Sequence, residues 1–116
     1  MNKTRIYHNP RCSKSRETLA LLESQQQDIE IVEYLKSPPS VDELTAILRQ
    51  LKLRPRQLLR SKESLYKELQ LDNADLSDED LITAMCANPK LIERPIVIKN
   101  NQAIIGRPPE AVLNIL

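Results

Sequence analysis

The sequence has no tryptophan and no phenylalanine, and its only aromatic residues are three tyrosines. Without these large rings, the core must be filled mainly by the aliphatic side chains of leucine, isoleucine and valine. At 116 residues the chain is nevertheless long enough to bury such a core without metal or disulfide support. We therefore expect one domain that spans residues 1–116.

An excess of charge of either sign is also lacking, because the formal net charge is only +1. The chain has no global field that would attract nucleic acid or an anionic membrane, so any anion must bind locally. No apolar run approaches the length of a membrane span, and the N-terminus leads into a predicted strand without the apolar segment of a signal peptide. We expect a cytoplasmic protein with neither nucleic acid nor membrane as a partner.

Cysteine and histidine are scarce: the chain contains Cys12, Cys86 and one histidine, His8. The spacing of the three residues predicts neither a disulfide framework nor a metal site. Cys86 shares a predicted helical face with Ile82 and Met85, which favours a core position over a role as a resolving thiol. Cys12 is left as the candidate reactive thiol.

The hydrophobic pattern predicts strands at both ends of the chain and helices between them. Predicted strands cover residues 5–8, 29–31, 95–99 and 102–105. A helix between the first two strands makes a parallel βαβ unit, and Asn100-Asn101 suits the tight turn of a hairpin between the last two. The order predicts an α/β thioredoxin-like fold, with a four-stranded mixed sheet and a helical subdomain inserted at about 38–90.

Cys12 follows the first strand, within the stretch HNPRCSKSR, and directly precedes a helical pattern. A helix N-terminus and neighbouring cations both favour the thiolate, and they equally favour a bound tetrahedral oxyanion. The alternative is a loop cysteine among solvated charges, since charge runs usually face water. The position at a strand-to-helix turn favours the reactive thiol.

Basic residues elsewhere also allow two interpretations. His8 ends the first predicted strand, and it either forms a structural hydrogen bond or tunes the charge of Cys12. Three arginines occur where the chain changes direction, and each could be a surface ion-pair partner: Arg60, Arg94 and Arg107. The predicted hairpin brings Arg94 and Arg107 to one end, where guanidinium groups could bind an oxyanion in a bidentate manner.

Five motifs stand along the chain in this order: HNPRCSKSR, YLKSPPSVDEL, RQLLR, ERPIVI and GRPPE. In order and spacing they closely resemble the arsenate reductase family of the glutaredoxin-linked type, the ArsC family, from Lys3 to Leu116. The resemblance implies that Cys12 is the nucleophile and that three arginines bind the oxyanion: Arg60, Arg94 and Arg107. It further implies that His8 and Ser15 stabilise the thiolate and that Pro95 is the cis proline of thioredoxin-like proteins.

In the reaction that the resemblance implies, Cys12 attacks arsenate, glutathione attacks the adduct, and glutaredoxin removes the glutathione before arsenite leaves. Arsenate or a similar oxyanion, glutathione and glutaredoxin are then the partners. Glutathione is a co-substrate, and no metal or bound cofactor is needed. Arsenate-reducing members often have Gly-Thr after the cysteine, where this chain has Ser13-Lys14 and therefore an added charge.

Two other functions fit parts of the sequence. Relatives of the ArsC family include the Spx regulators, so the chain could be a module that binds RNA polymerase. A Spx-type redox switch commonly uses Cys-x-x-Cys, whereas here Ser15 stands in place of the second cysteine. The other alternative is a glutathione-dependent thiol reductase that acts on a different small molecule or on a protein.

Overall fold

The computed structural model describes residues 3–116, which form two compact units. The first unit comprises the chain up to Ser37 together with Arg94–Leu116, and the second comprises Pro38–Glu93. The predicted helical insertion at about 38–90 falls within the second unit. That residues 1–116 form one domain stays a prediction, and residues 1 and 2 lie outside the described part of the chain.

The sheet of the first unit is mixed, as predicted. Its strands within residues 3–116 are β1 (Thr4–Tyr7), β2 (Ile29–Val32), β3 (Ile96–Lys99) and β4 (Gln102–Ile105). They lie in the order β2-β1-β3-β4, with β1 parallel to β2 and antiparallel to β3. This α/β arrangement confirms the predicted four-stranded thioredoxin-like sheet. β1 ends one residue earlier than expected, so His8 belongs to the loop that follows it.

A two-residue turn fixes the register of the hairpin formed by β3 and β4. Asn100 and Asn101 have φ angles of 54° and 63°, a conformation that asparagine tolerates better than most residues. The turn pairs Ile96 with Ile105 at the other end of the hairpin. Arg94 lies two residues before Ile96 and Arg107 two residues after Ile105, so both are at that end of the hairpin.

The core of the first unit is mainly aliphatic, as the lack of tryptophan and phenylalanine predicted, although Tyr7 and Tyr34 are also buried. Buried side chains from the sheet and the helices form one cluster: Ile6, Leu22, Val97 and Val112. Leu22 belongs to helix α1 (Ser13–Ser24), which contacts the last helical segment, Pro109–Ile115. That segment is a 3₁₀ helix, and its first turn is closed by the Ala111 amide, which donates to the Pro108 carbonyl at 2.9 Å.

The second unit is mainly helical. Its α-helices within the described residues are α2 (Val41–Leu51), α3 (Pro55–Leu58), α4 (Ser64–Glu68) and α5 (Asp78–Ala87). The Ser40 side chain caps α2 by accepting a hydrogen bond from the Glu43 amide at 3.1 Å. The α2 stripe Leu44, Ile47 and Leu48 is buried, and α2 contacts α5. Along residues 3–116, no helix is both long enough and apolar enough to cross a membrane.

Candidate active site

Cys12 is the N-cap residue of α1, in the loop that connects β1 to this helix. Its carbonyl accepts the first helical hydrogen bond, from the Arg16 amide at 3.0 Å, and its own amide donates to the Asn9 carbonyl at 3.0 Å. These two bonds hold the residue between a tight loop and the first helical turn. The side chain is buried and forms no disulfide, so the thiol is held at the positive end of the helix dipole.

The environment of Cys12 lowers the pKa of its thiol from the ordinary value. Burial acts to raise this pKa, but four other interactions outweigh it. Hydrogen bonds from the backbone of Ser15 and Lys14 stabilise the thiolate, and so do the positive charges of Arg94 and Arg107. The thiolate fraction of Cys12 at neutral pH is therefore greater than that of an ordinary cysteine.

Arg107 approaches the sulfur directly. Its Nη2 atom lies 3.7 Å from Cys12 Sγ, and its Nε donates to the Arg94 carbonyl at 2.9 Å. The second bond ties the guanidinium group to the neighbouring chain at the end of the hairpin. A planar donor group fixed in this way can face both a thiolate and an oxyanion that approaches it.

The segment from Arg94 to Pro95 forms the other side of this end of the hairpin. The Arg94–Pro95 peptide bond is cis, at the position that the resemblance implied. The Gly106 amide donates to the Pro95 carbonyl at 3.0 Å, which joins the two strands just before Arg107. Of the three predicted oxyanion-binding arginines, Arg94 and Arg107 thus both lie close enough to Cys12 for their charges to lower its pKa.

Gly106 fits against α1 because it has no side chain. A Cβ atom at this position would lie 2.6 Å from Thr18 Oγ1 and 2.9 Å from Pro95 Cγ, both closer than real contacts allow. Thr18 is itself held by a hydrogen bond from Oγ1 to the Lys14 carbonyl at 2.8 Å. Sequence reasoning did not assign Gly106 or Thr18 to the site, although the position of the only glycine directly before Arg107 was a signal.

His8 and Ser15 form a buried pair beside the cysteine loop. His8 Nδ1 lies 2.6 Å from Ser15 Oγ, which also accepts a hydrogen bond from the Asn9 amide at 3.0 Å. Burial lowers the pKa of His8, Glu33 acts to raise it, and Arg16 acts to lower it. The lowered pKa favours a neutral imidazole at neutral pH. The Cys12 thiolate is therefore stabilised by a hydrogen bond from the Ser15 backbone and not by a charged histidine.

Arg60 belongs to the second unit. Its guanidinium group forms an ion pair with Glu63 at 2.9 Å, and its Nη1 also donates to the Lys90 carbonyl at 3.2 Å. Its backbone amide donates to the Leu91 carbonyl at 2.8 Å. That Arg60 shares an oxyanion with Cys12 stays a prediction.

Cys86 differs from Cys12 in its surroundings. It lies on α5 and is only partly buried, so its neighbours Ile82 and Met85 contribute more to the core than it does. Burial and the negative charge of Glu43 both raise the pKa of its thiol. Of the two thiols, Cys12 is therefore the one whose environment favours ionisation.

Side chains that could bind a metal ion are not clustered within residues 3–116. Among residues 3–116, no set of three or more histidine, cysteine, aspartate or glutamate side chains could hold a metal ion. The chemistry that the described residues offer is that of one buried thiol with a lowered pKa, next to two guanidinium groups. Such a site combines a nucleophile with groups that stabilise negative charge on oxygen.

The mixed sheet, with a cysteine at the start of the helix that follows β1, defines a thioredoxin-like protein. Comparison with family models matches residues 7–115 to the ArsC family. The chain belongs to this family, which confirms the resemblance seen in its motifs.

Individual relatives agree with this assignment. An arsenate reductase of Haemophilus influenzae is 54% identical, with 96% of this chain and 97% of the relative covered. An Escherichia coli protein called YfgD is also 54% identical, with 98% and 97% covered. Among solved structures, an arsenate reductase from Vibrio cholerae superposes with a TM-score of 0.96 at 56% identity, covering 98% of each chain.

Proposed function

We propose that this protein reduces arsenate to arsenite, with Cys12 as the nucleophile. The observation that carries the proposal is the 3.7 Å approach of Arg107 Nη2 to the Cys12 sulfur, at a thiol whose pKa is lowered. This arrangement joins a thiolate to a group that binds oxyanions, as the reduction of arsenate requires. The names of the Haemophilus influenzae and Vibrio cholerae relatives support the same substrate.

In the first step the Cys12 thiolate attacks the arsenic atom of bound arsenate. A sulfur–arsenic bond forms, and one arsenate oxygen leaves as water after it has gained protons. Arg94 and Arg107 stabilise the negative charge that remains on the other oxygens. Arg60 completes the proposed set of oxyanion-binding arginines, in line with the ArsC motifs. Arsenic is still in its higher oxidation state at the end of this step.

In the second stage glutathione attacks the adduct and displaces a second oxygen as water, so that arsenic is bound to two sulfurs. The glutaredoxin thiolate then attacks the glutathione sulfur, the glutathione–arsenic bond breaks with its electron pair left on arsenic, and a mixed disulfide leaves. Water finally cleaves the bond between arsenic and Cys12, which releases arsenite and restores the thiol. For each arsenate that is reduced, two thiols are oxidised to one disulfide and one water is formed in total. Glutathione is a co-substrate in this scheme, with no resident metal or cofactor, and a cytoplasmic location stays a prediction.

A coupled assay with arsenate, glutathione and glutaredoxin tests this function. Wild-type protein should form oxidised glutathione and arsenite in an arsenate-dependent manner, whereas Cys12→Ser should show no turnover because a hydroxyl is a far poorer nucleophile than a thiolate. Cys86→Ser is the matched control, and it should retain the wild-type rate.

Two results would overturn the proposal. Turnover that survives Cys12→Ser would remove the nucleophile from the mechanism. The absence of arsenate-dependent turnover in the wild type, with each of several thiol donors, would reject arsenate reduction. In that case stoichiometric capture of RNA polymerase would favour a regulatory module, whereas turnover of another disulfide or oxyanion would favour a different reductase.

A further inference from the structure

A groove opens beside the loop that connects β1 to α1, and Cys12 itself does not line it. One wall is the loop of residues 8–11, which leads directly to Cys12, and the other wall is formed by three residues that follow β2: Glu33, Leu35 and Lys36. The cavity has a volume of about 230 Å³. This size suits a small molecule better than a segment of folded protein.

The groove carries charges of both signs around an apolar strip. Arg11 and Lys36 supply two cations, Glu33 supplies one anion, and Pro10 and Leu35 supply apolar surface. Leu35 is 38% exposed, so its side chain offers apolar surface to a ligand in the groove. A bare inorganic oxyanion would use the cations but not the apolar strip, and it would be repelled by Glu33.

We infer that this groove binds the thiol co-substrate, a small γ-glutamyl peptide thiol of the glutathione type, beside Cys12. Such a peptide has two carboxylates, one ammonium group and an apolar central portion at neutral pH. Two cations, one anion and an apolar strip match these groups in number and sign. The choice of this ligand rests on the proposed function, whereas the match of charges rests on the groove alone.

The present contacts of the groove residues allow such binding. Lys36 and Glu33 lie 3.7 Å apart, but their side chains are 80% and 44% exposed, so their ion pair is weak and can separate for a ligand. The backbone of each wall is held by hydrogen bonds: Arg16 donates to the Pro10 carbonyl at 3.0 Å, and the Lys36 amide donates to the Glu33 carbonyl at 3.0 Å. Walls whose backbone is already ordered can accept a ligand at small cost in loop entropy.

Binding of S-methylglutathione tests the inference without any need for turnover, because this thioether cannot react with arsenic or disulfides. Its addition should shift the backbone amide NMR signals of Asn9, Arg11 and Cys12 and of residues 33–36. Arg11→Gln and Lys36→Gln should each raise Kd by about two- to fivefold, the range for one solvent-exposed charge pair. Lys3→Gln is the matched control, since Lys3 precedes the opposite end of β1, and its Kd should equal that of the wild type.

The ammonium group is tested with a second ligand. Wild-type protein should prefer S-methylglutathione over its N-acetyl derivative, which lacks the positive charge, by about two- to fivefold. Glu33→Gln should remove this preference. Signal shifts confined to other segments, or unchanged binding in Arg11→Gln/Lys36→Gln, would overturn the inference.

Kinetic measurements separate this inference from the proposed function. In the arsenate assay, the groove variants should raise KM for glutathione by the same factors and leave KM for arsenate unchanged. Binding in the groove without arsenate turnover would reject arsenate reduction while supporting the groove as a peptide-thiol site. Arsenate turnover with groove variants that keep the wild-type KM for glutathione would overturn the groove and leave arsenate reduction in place.

Discussion

Arg107 Nη2 lies 3.7 Å from Cys12 Sγ, although the two residues are 95 positions apart in the sequence. The cysteine is held by the start of α1, and the arginine is held by the end of β4 and by its bond to the Arg94 carbonyl. The sulfur thus meets the helix N-terminus on one side and a fixed guanidinium group on another. Each of these interactions favours the thiolate, so the site can be tested through both its acidity and its turnover.

The two thiols should differ in their reactivity with an alkylating agent. The pKa of Cys12 is lowered and that of Cys86 is raised, so at pH 6 a larger fraction of Cys12 is thiolate. Iodoacetamide should therefore label Cys12 first, as measured by mass spectrometry over a pH series on the folded protein. Faster labelling of Cys86 at pH 6 would contradict the assignment of the nucleophile.

Replacement of Arg107 or Arg94 by lysine keeps the charge but loses the planar set of donors. Arsenate-dependent turnover should fall by about tenfold or more, because removal of a fixed oxyanion donor commonly costs at least that factor. Arg5→Lys is the matched control: Arg5 forms an exposed ion pair with Glu30 at 3.2 Å, a contact that contributes about 0–1 kcal/mol.

Thermal unfolding of the same arginine variants distinguishes a loss of oxyanion binding from a loss of stability. The wild-type melting temperature together with reduced turnover is the expected combination for Arg94→Lys and Arg107→Lys. Arginine variants that turn over as fast as Arg5→Lys would mean that Arg94 and Arg107 serve only as structural or surface cations.

His8 should titrate below its ordinary pKa of 6.5. It is the only histidine in the chain, so its imidazole signal in an NMR pH titration is unambiguous. Below pH 6.5 the unfolded chain binds a proton that the native chain does not, so the free energy of unfolding decreases as the pH falls toward the native pKa. In denaturant unfolding, the free energy of unfolding should therefore fall more steeply with decreasing pH in the wild type than in His8→Gln. An NMR titration midpoint of His8 above 6.5 would contradict the prediction.

Gly106→Ala should disturb the position of Arg107 without touching the sulfur. The added Cβ would lie 2.6 Å from Thr18 Oγ1, and relief of such overpacking typically costs about 1–3 kcal/mol. We expect lower stability in denaturant unfolding and a slower rate of Cys12 alkylation at pH 6, because the guanidinium group moves away from the sulfur.

A double-mutant cycle with Thr18→Ala isolates this contact. Since Thr18→Ala removes two of the three atoms nearest to the added Cβ, the double variant should be more stable than the sum of the two single changes predicts. Strict additivity, or wild-type stability in Gly106→Ala, would show that the close approach has no energetic consequence.

Much of the first unit could be predicted because the sequence patterns that indicate its strands and turns involve residues close together along the chain. The alternation of apolar residues indicated the strands, and Asn100-Asn101 indicated the turn whose positive φ angles the structure contains. That turn sets the register of β3 and β4, and so the common end at which Arg94 and Arg107 lie. Local patterns did not predict that the last helical segment, Pro109–Ile115, is a 3₁₀ helix and not an α-helix. Its Val112 is buried, so we attribute the helix type to packing against the rest of the unit.

That Cys12 stands at a strand-to-helix turn among cations could be inferred from local patterns, because helix starts and strands follow from residues that are neighbours along the chain. Which atoms contact the sulfur became known from the folded chain. His8 bonds to Ser15 instead of to the thiol, and Gly106 brings its strand against Thr18. Such contacts join residues that are distant in sequence, or depend on rotamers in a close-packed interior, and no local pattern encodes either.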